Sequence, residues 1–428
     1  MPRRVAFARQ VSYQEGMSVA LLWDASHLWG LLARQAMTGF GVPCRLLKAQ
    51  DIAQAGLSDK ISLLVVPGGS ARLKYEALGE AGREAIRRFV AEGGHYLGFC
   101  GGAGLALGDP EPGLGLCPWR RAHFTNRLQH QLSGPVWARF EPSCPETAPF
   151  LPDDLSEAAL PVWWPGRFEP SNNPADGVRV LARYAGPAAG LHVADLCLDN
   201  LPAEVLEDWQ SVYGITLFPS IVGSPCVIHG RFGRGTYTLS YSHLETPSSP
   251  RANAWLAALL MRHGGVTLER TSLPAWHPAV GVRWTDPTLL ACREGMLEIL
   301  ALGREHGLLF PRTPWLVGWR AGVPGSGLNT LALAFNVLAS MPPVPEVEAR
   351  WKAAAANVMR RFTLFRRGTE ACLLAQRLAA TVPELVPAEQ LAARRKALFG
   401  SAMQGGGLYQ ELLDQLDALL FMQLQERD

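Results

Sequence analysis

Three short segments hold the residues whose types and spacing could do chemistry. Gly98-Phe-Cys100-Gly-Gly102 has the small-x-nucleophile-x-small spacing of a nucleophile elbow. Close chain packing at such a strand-to-helix turn excludes side chains two positions either side of the nucleophile, which calls for glycine there. A helix starting near Gly102 would aim its amides at the sulfur and favour the thiolate, the reactive form. Ser242-His243-Leu244-Glu245 supplies the proton acceptor and a carboxylate to orient it. If a strand runs on through Leu244, His243 and Glu245 face the same way. Pro67-Gly68-Gly69 offers backbone without side chains, so Gly69 (or Gly68) and Gly101 are the natural oxyanion donors. The constellation is that of a cysteine nucleophile attacking an acyl carbon, with Cys100, His243 and Glu245 as the triad.

These residues need elements to position them. Ser18–Asp24, Cys44–Lys48, Ser62–Val66 and His95–Phe99 read as short buried strands. His27–Thr38 and Leu78–Glu92 have helical spacing, the second stopped by Gly93-Gly94. Strands alternating with helices predict an α/β fold, a mostly parallel sheet with helices on both faces and a working site at the carboxyl ends of the strands. Asp24, the Pro67–Gly69 turn and Cys100 all stand at such ends. Asp24 could touch substrate there or cap the following helix; Tyr75 could line the pocket or pack on it. His95 reads as structural, and Trp163-Trp164 as core packing or an exposed patch.

Residues 109–223 are dense in proline and glycine and read as a β-rich insertion. Within them Trp137–Pro142 and Pro165–Pro170 resemble each other, as two arms of a hairpin or by chance. Strands at Cys226–Gly230 and Thr236–Tyr241 flank the turn Arg231–Gly235, and Arg251–His263 reads as a closing helix. After Gly264-Gly265 the pattern becomes helical, at 287–306, 327–340, 346–376, 387–400 and 407–425. The expected organisation is an N-terminal arm (1–16), an α/β domain (17–265) and an all-α C-terminal domain (266–428).

Composition narrows the function classes. Of 428 residues, 48% are hydrophobic and 18% charged, enough apolar material for ordinary cores. A net charge of +2 gives no electrostatic reason to expect nucleic acid or a membrane surface as partner. The eight cysteines are scattered, the closest pair, Cys100 and Cys117, lying 17 positions apart. Reduced thiols and a cytoplasmic location are expected, with no metal site. No apolar run reaches the length of a membrane span. There is no Gly-Lys pair, so no phosphate-binding loop, and no cofactor is expected.

The order Pro-Gly-Gly, then Gly-x-Cys-Gly-Gly, then His-x-Glu resembles the class I glutamine amidotransferase superfamily. More narrowly, Val65–Gly69, Tyr75, Phe89–Gly94, Tyr96–Cys100 and Ser242–Glu245 look like the N-terminal domain of biotin-protein ligases. The resemblance covers roughly residues 17–263. It implies a flavodoxin-like fold and a Cys-His-Glu triad on Cys100, His243 and Glu245. The Gly230–Gly235 segment could be confused with a biotin-adenylate loop, but its place just before Ser242–Glu245 makes it a hairpin turn.

The expected function is an amidase or glutaminase-type hydrolase acting on a small-molecule or peptide carboxamide. The helical region would then engage a protein partner, and any ammonia acceptor would be another polypeptide. The rival expectation is an inactive ligand-binding or regulatory module. A third keeps the thiol but not amidase chemistry; it needs an acid beside Cys100, for which Asp24 is the candidate.

Overall fold

The computed structural model describes residues 18–108, 112–122, 132–141, 156–173, 176–214, 221–401 and 406–426. The expected N-terminal arm lies outside them, as do parts of the 109–223 segment.

The first half builds as its apolar runs predict. β1 (Val19–Leu22), β2 (Cys44–Leu47), β3 (Leu63–Val66) and β4 (His95–Phe99) are almost wholly buried, because helices cover both faces. Alternate residues feed two cores: Val19 and Leu21 one side, Ala20 and Leu22 the other. α1 (Leu28–Phe40) covers the first face and ends at Gly41 in the left-handed conformation. α2 (Ala49–Ala55) and α3 (Ala71–Ala91) cover the second. α3 starts well before the predicted Leu78, because the Ser70 side chain caps it by accepting from Leu73 N; Gly79, at φ 57°, then interrupts it. α4 (Gly101–Ala106) follows β4 directly.

The chain then passes through β5 (Arg120–Arg121), β6 (Leu132–Phe140), β7 (Glu157–Trp163), β8 (Phe168–Glu169), β9 (Arg179–Pro187), β10 (His192–Val193), β11 (Leu196–Cys197) and α5 (Ala203–Tyr213). β12 (Pro225–Phe232) and β13 (Gly235–Ser240) form the expected hairpin, and α6 (Pro250–Gly264) closes the segment. The main sheet has the order β11-β10-β6-β9-β12-β13-β4-β3-β1-β2, with β7 also paired to β6. From β13 through β4, β3 and β1 to β2 the pairing is parallel. The β-rich segment therefore continues the central sheet through antiparallel pairs rather than standing off it. The two similar stretches do not form a hairpin: β6 pairs with β7, β9 and β10, whereas β8 pairs with β5.

Beyond residue 265 come α7 (Pro287–Glu305), β14 (Leu309–Thr313), β15 (Leu316–Trp319), α8 (Gly325–Ala339), α9 (Pro345–Ala379), α10 (Ala388–Phe399) and α11 (Gly407–Gln425). The five helices fall where periodicity placed them, within a few residues. The β14–β15 hairpin was not anticipated; its short Pro- and Trp-bearing strands lack clean alternation. α8 packs on α1 and α11 on β2, and the helical core is continuous with the α1 face of the sheet. Among the described residues no helix is long and apolar enough to cross a membrane, and Cys100, Cys117, Cys197, Cys226, Cys292 and Cys372 are in no disulfide.

Candidate active site

Cys100 ends β4 and opens α4 with φ 47° and ψ −107°, a conformation a side-chain-bearing residue adopts only under constraint. The constraints are visible. Its N–H donates to Ser240 O at 2.8 Å, which carries the β4–β13 pairing up to the turn itself. The buried Tyr96 hydroxyl donates to Gly102 O at 2.6 Å. A β-carbon on Gly98 would lie 2.7 Å from Gly102 O, and one on Gly102 would lie 2.7 Å from the Val66 carbonyl carbon. Both glycines of the elbow are thus demanded by backbone approach. α4 is only six residues long, so its dipole is a smaller aid to the thiolate than the sequence suggested.

His243 follows from the same pairing. Phe99 and Ser240 are register partners, so the residue after one and the third residue after the other meet, although 143 positions separate them in sequence. β13 ends at Ser240, so His243 and Glu245 do not share a strand face as expected. A turn does the work instead. His243 N donates to Pro161 O at 2.8 Å, and the buried Asn253 amide on α6 donates to both Leu244 O and Thr246 O at 2.9 Å. The result is a 2.7 Å bond between His243 Nδ1 and Glu245 Oε1, both side chains fully buried.

Burial alone would lower the pKa of His243. The Glu245 carboxylate and the side-chain interaction with Cys100 outweigh it and raise the imidazole to about 10. With Nδ1 engaged by Glu245, the buried Nε2 is the nitrogen left for the thiol. The arrangement favours an imidazolium beside the sulfur.

Gly69 and Gly101 come together at the turn. A β-carbon on Gly101 would lie 3.2 Å from Gly69 N, and Gly69 itself has φ 106°. Gly68 lies against the imidazole, its hypothetical β-carbon 3.0 Å from His243 Cε1 and 2.9 Å from Trp29 Cγ. The other two sequence candidates go elsewhere. The Asp24 carboxylate accepts from Ala49 N at 2.6 Å, so it caps α2 rather than the helix that follows it in sequence. Tyr75 packs on the α3-side core with Arg83 3.9 Å over its ring, on the face opposite Trp29.

Aromatic rings form the wall around His243. Trp29 of α1 lies 4.3 Å from the imidazole, centroid to centroid, and contacts Trp163, Trp164 and Trp315 at 6.1–6.5 Å. Trp163 and Trp315 meet edge to face at 5.5 Å, and Trp164 meets Trp319 at 5.1 Å. Trp163 is thus core packing, while Trp164 is half-buried with φ 54°. The unanticipated β14–β15 hairpin contributes Trp315 and Trp319, so three distant parts of the chain meet in the aromatic cluster that Trp29 joins to the imidazole. Sequence reasoning missed Trp29, Trp315 and the buried Lys74. His95, read as structural, is buried and stacks on His263 at 3.5 Å.

Residues 43–109 match the family model described as biotin-protein ligase, N terminal. No curated protein matches the chain. Among solved structures, PurLQS from Thermotoga maritima is similar at 12% identity and TM-score 0.39, over 57% of this chain and 97% of that one. A protein assigned to GMP synthase, from Thermoplasma acidophilum, is similar at 11% identity and TM-score 0.36, over 58% and 94%. A β-galactosidase from Bacillus circulans sp. alkalophilus is similar at 14% identity and TM-score 0.34, over 59% and 32%.

Proposed function

We propose that this chain, whose residues 43–109 match the biotin-protein ligase N-terminal family model, is a class I glutamine amidotransferase-like cysteine-nucleophile amidase acting on a carboxamide, with glutamine the first candidate. The observation that carries the reading is the buried 2.7 Å His243–Glu245 pair beside a cysteine held at positive φ.

The Cys100 thiolate attacks the carboxamide carbon, and the carbonyl electron pair moves to oxygen. Backbone amides at Gly69 and Gly101 hold that oxyanion. The tetrahedral intermediate collapses by breaking the C–N bond, and His243 gives its proton to the departing nitrogen, releasing ammonia. Water, deprotonated by His243, then attacks the thioester, and the carboxylic acid leaves Cys100 as thiolate. Glu245 keeps Nδ1 protonated and the ring oriented throughout.

Ammonia release from glutamine and other carboxamides, wild type against Cys100→Ser, tests this. Turnover lost in a folded variant supports the reading, and an undiminished rate sinks it. The complete burial of His243 and Glu245 favours one rival, a closed binding module. For that rival, no turnover on any carboxamide and an unreactive thiol are the expected results.

A further inference from the structure

Lys74 is fully buried, on the inner face of α3 among Leu78, Gly82, Ile86 and Val90. Burying an ammonium there is costly unless its protons find acceptors. Its Nζ donates to Asp24 O at 2.7 Å and to Ser26 Oγ. Among the described residues no carboxylate receives it directly: the Asp24 carboxylate is turned to α2. The ammonium is spent on the backbone turn that leaves β1, where Ala25 and His27 both sit at φ 51°.

That turn supports the site. Ala25 O accepts from Ser70 N at 3.2 Å, and a β-carbon on Gly69 would lie 3.1 Å from both Ala25 C and Ser26 Cα. Gly69 is therefore wedged between the turn and Gly101, the neighbour of Cys100. A continuous set of contacts runs from Lys74 through Asp24–Ser26 and Gly69 to Gly101.

We propose that Lys74 is a positioning residue of the site: its ammonium fixes the Asp24–Ser26 turn on which Gly69 rests, and through Gly69 the turn that carries Cys100. The proposal rests on the cysteine chemistry above and adds a group that the triad does not include. Burial lowers Lys74 to about 7, against the raising pull of Asp24, of Asp417 on α11 and of Cys100. His27, facing the same ammonium, is lowered to about 4 by burial and by Lys74.

The test is the pH dependence of Cys100 alkylation by iodoacetamide in the full chain, wild type against Lys74→Met, with other cysteines monitored by peptide mapping. Methionine keeps the length and apolar stem while removing the charge. The expected result is a folded variant whose alkylation midpoint moves upward and whose rate at pH 7 falls about threefold or more. A folded variant whose profile superimposes on the wild type overturns the proposal. Should Lys74→Met not fold, Ser26→Ala removes one of the two acceptors and is read the same way: an upward shift supports the role, an unchanged profile overturns it. Alkylation reports on the thiol and not on turnover, so a wild type without amidase activity leaves this test readable.

Discussion

Gly69 and Gly101 stand in backbone contact: a β-carbon on Gly101 would lie 2.7 Å from the Gly69 carbonyl carbon. Two turns at the ends of adjacent parallel strands are thus locked face to face, beside the sulfur. Gly101→Ala should lower stability by about 1–3 kcal/mol, the usual cost of forcing atoms into a packed site, and should slow Cys100 alkylation. Gly104→Ala is the control. Its new carbon meets only Ala71 Cβ at 3.6 Å, so in a helix it should be neutral or stabilising by about 0.4–1 kcal/mol. Urea midpoints separate the two.

Glu245→Gln should change the pH dependence of stability above neutrality. His243 is raised from 6.5 to about 10 in the folded protein. A raised pKa contributes stability that is full below 6.5 and is lost as pH rises through 10. The wild type should therefore weaken progressively across that interval, and the glutamine variant should weaken less. Equal slopes in the two proteins would break the assignment.

Acid should destabilise the opposite end of β4. His95 lies well below its ordinary value through burial and the neighbouring His263, His229 and Arg262, and His263 is lowered to about 4. Both are neutral when folded, whereas the unfolded chain takes up protons below about 6.5. Stability should fall as pH drops from 6.5 toward 4. His263→Phe keeps a ring against His95 without the charge, and should move the acid midpoint seen by tryptophan fluorescence to lower pH.

Trp315→Ala should open the aromatic wall. Removing a buried tryptophan costs about 3–5 kcal/mol, and Trp315 touches both Trp29 and Trp163. Thermal melting should register the loss, and Cys100 alkylation should quicken in the folded variant. An unchanged alkylation rate would mean that the hairpin does not limit access to the sulfur.

The segments that meet at the candidate site were legible because each requirement is local: glycines flanking Cys100, a histidine two positions before an acid, a glycine pair ending a strand. The reason His243 and Glu245 meet was not legible, since the turn that joins them depends on Asn253, a helix residue whose amide reaches back to two carbonyls. Lys74 was within reach. Stepping back by four from Val90 gives Ile86, Gly82, Leu78 and then Lys74, a charge where the apolar stripe should continue, and one of only five lysines in a chain with 35 arginines. Trp315 was out of reach, because nothing in a short irregular hairpin announces what it will cover. Asp24 was read at the end of β1, with substrate contact and a cap on the following helix both open; its carboxylate instead accepts from Ala49 N of α2, as side-chain direction at a turn is set by packing that spacing does not encode.

The bond from Trp23 Nε1 to Asp417 Oδ1, 2.9 Å long, joins residues 394 positions apart. Trp23 closes the first strand, and the turn beginning at Asp24 is the one that supports Gly69. A ribosome delivers the N-terminal side first, so the Trp23 indole waits for this acceptor until α11 has been made. Loop closure over such a distance is slow to be rewarded. The nascent chain therefore carries Cys100 before it carries Trp315 and Asp417, which pack against α1 and the end of β1 in the finished fold.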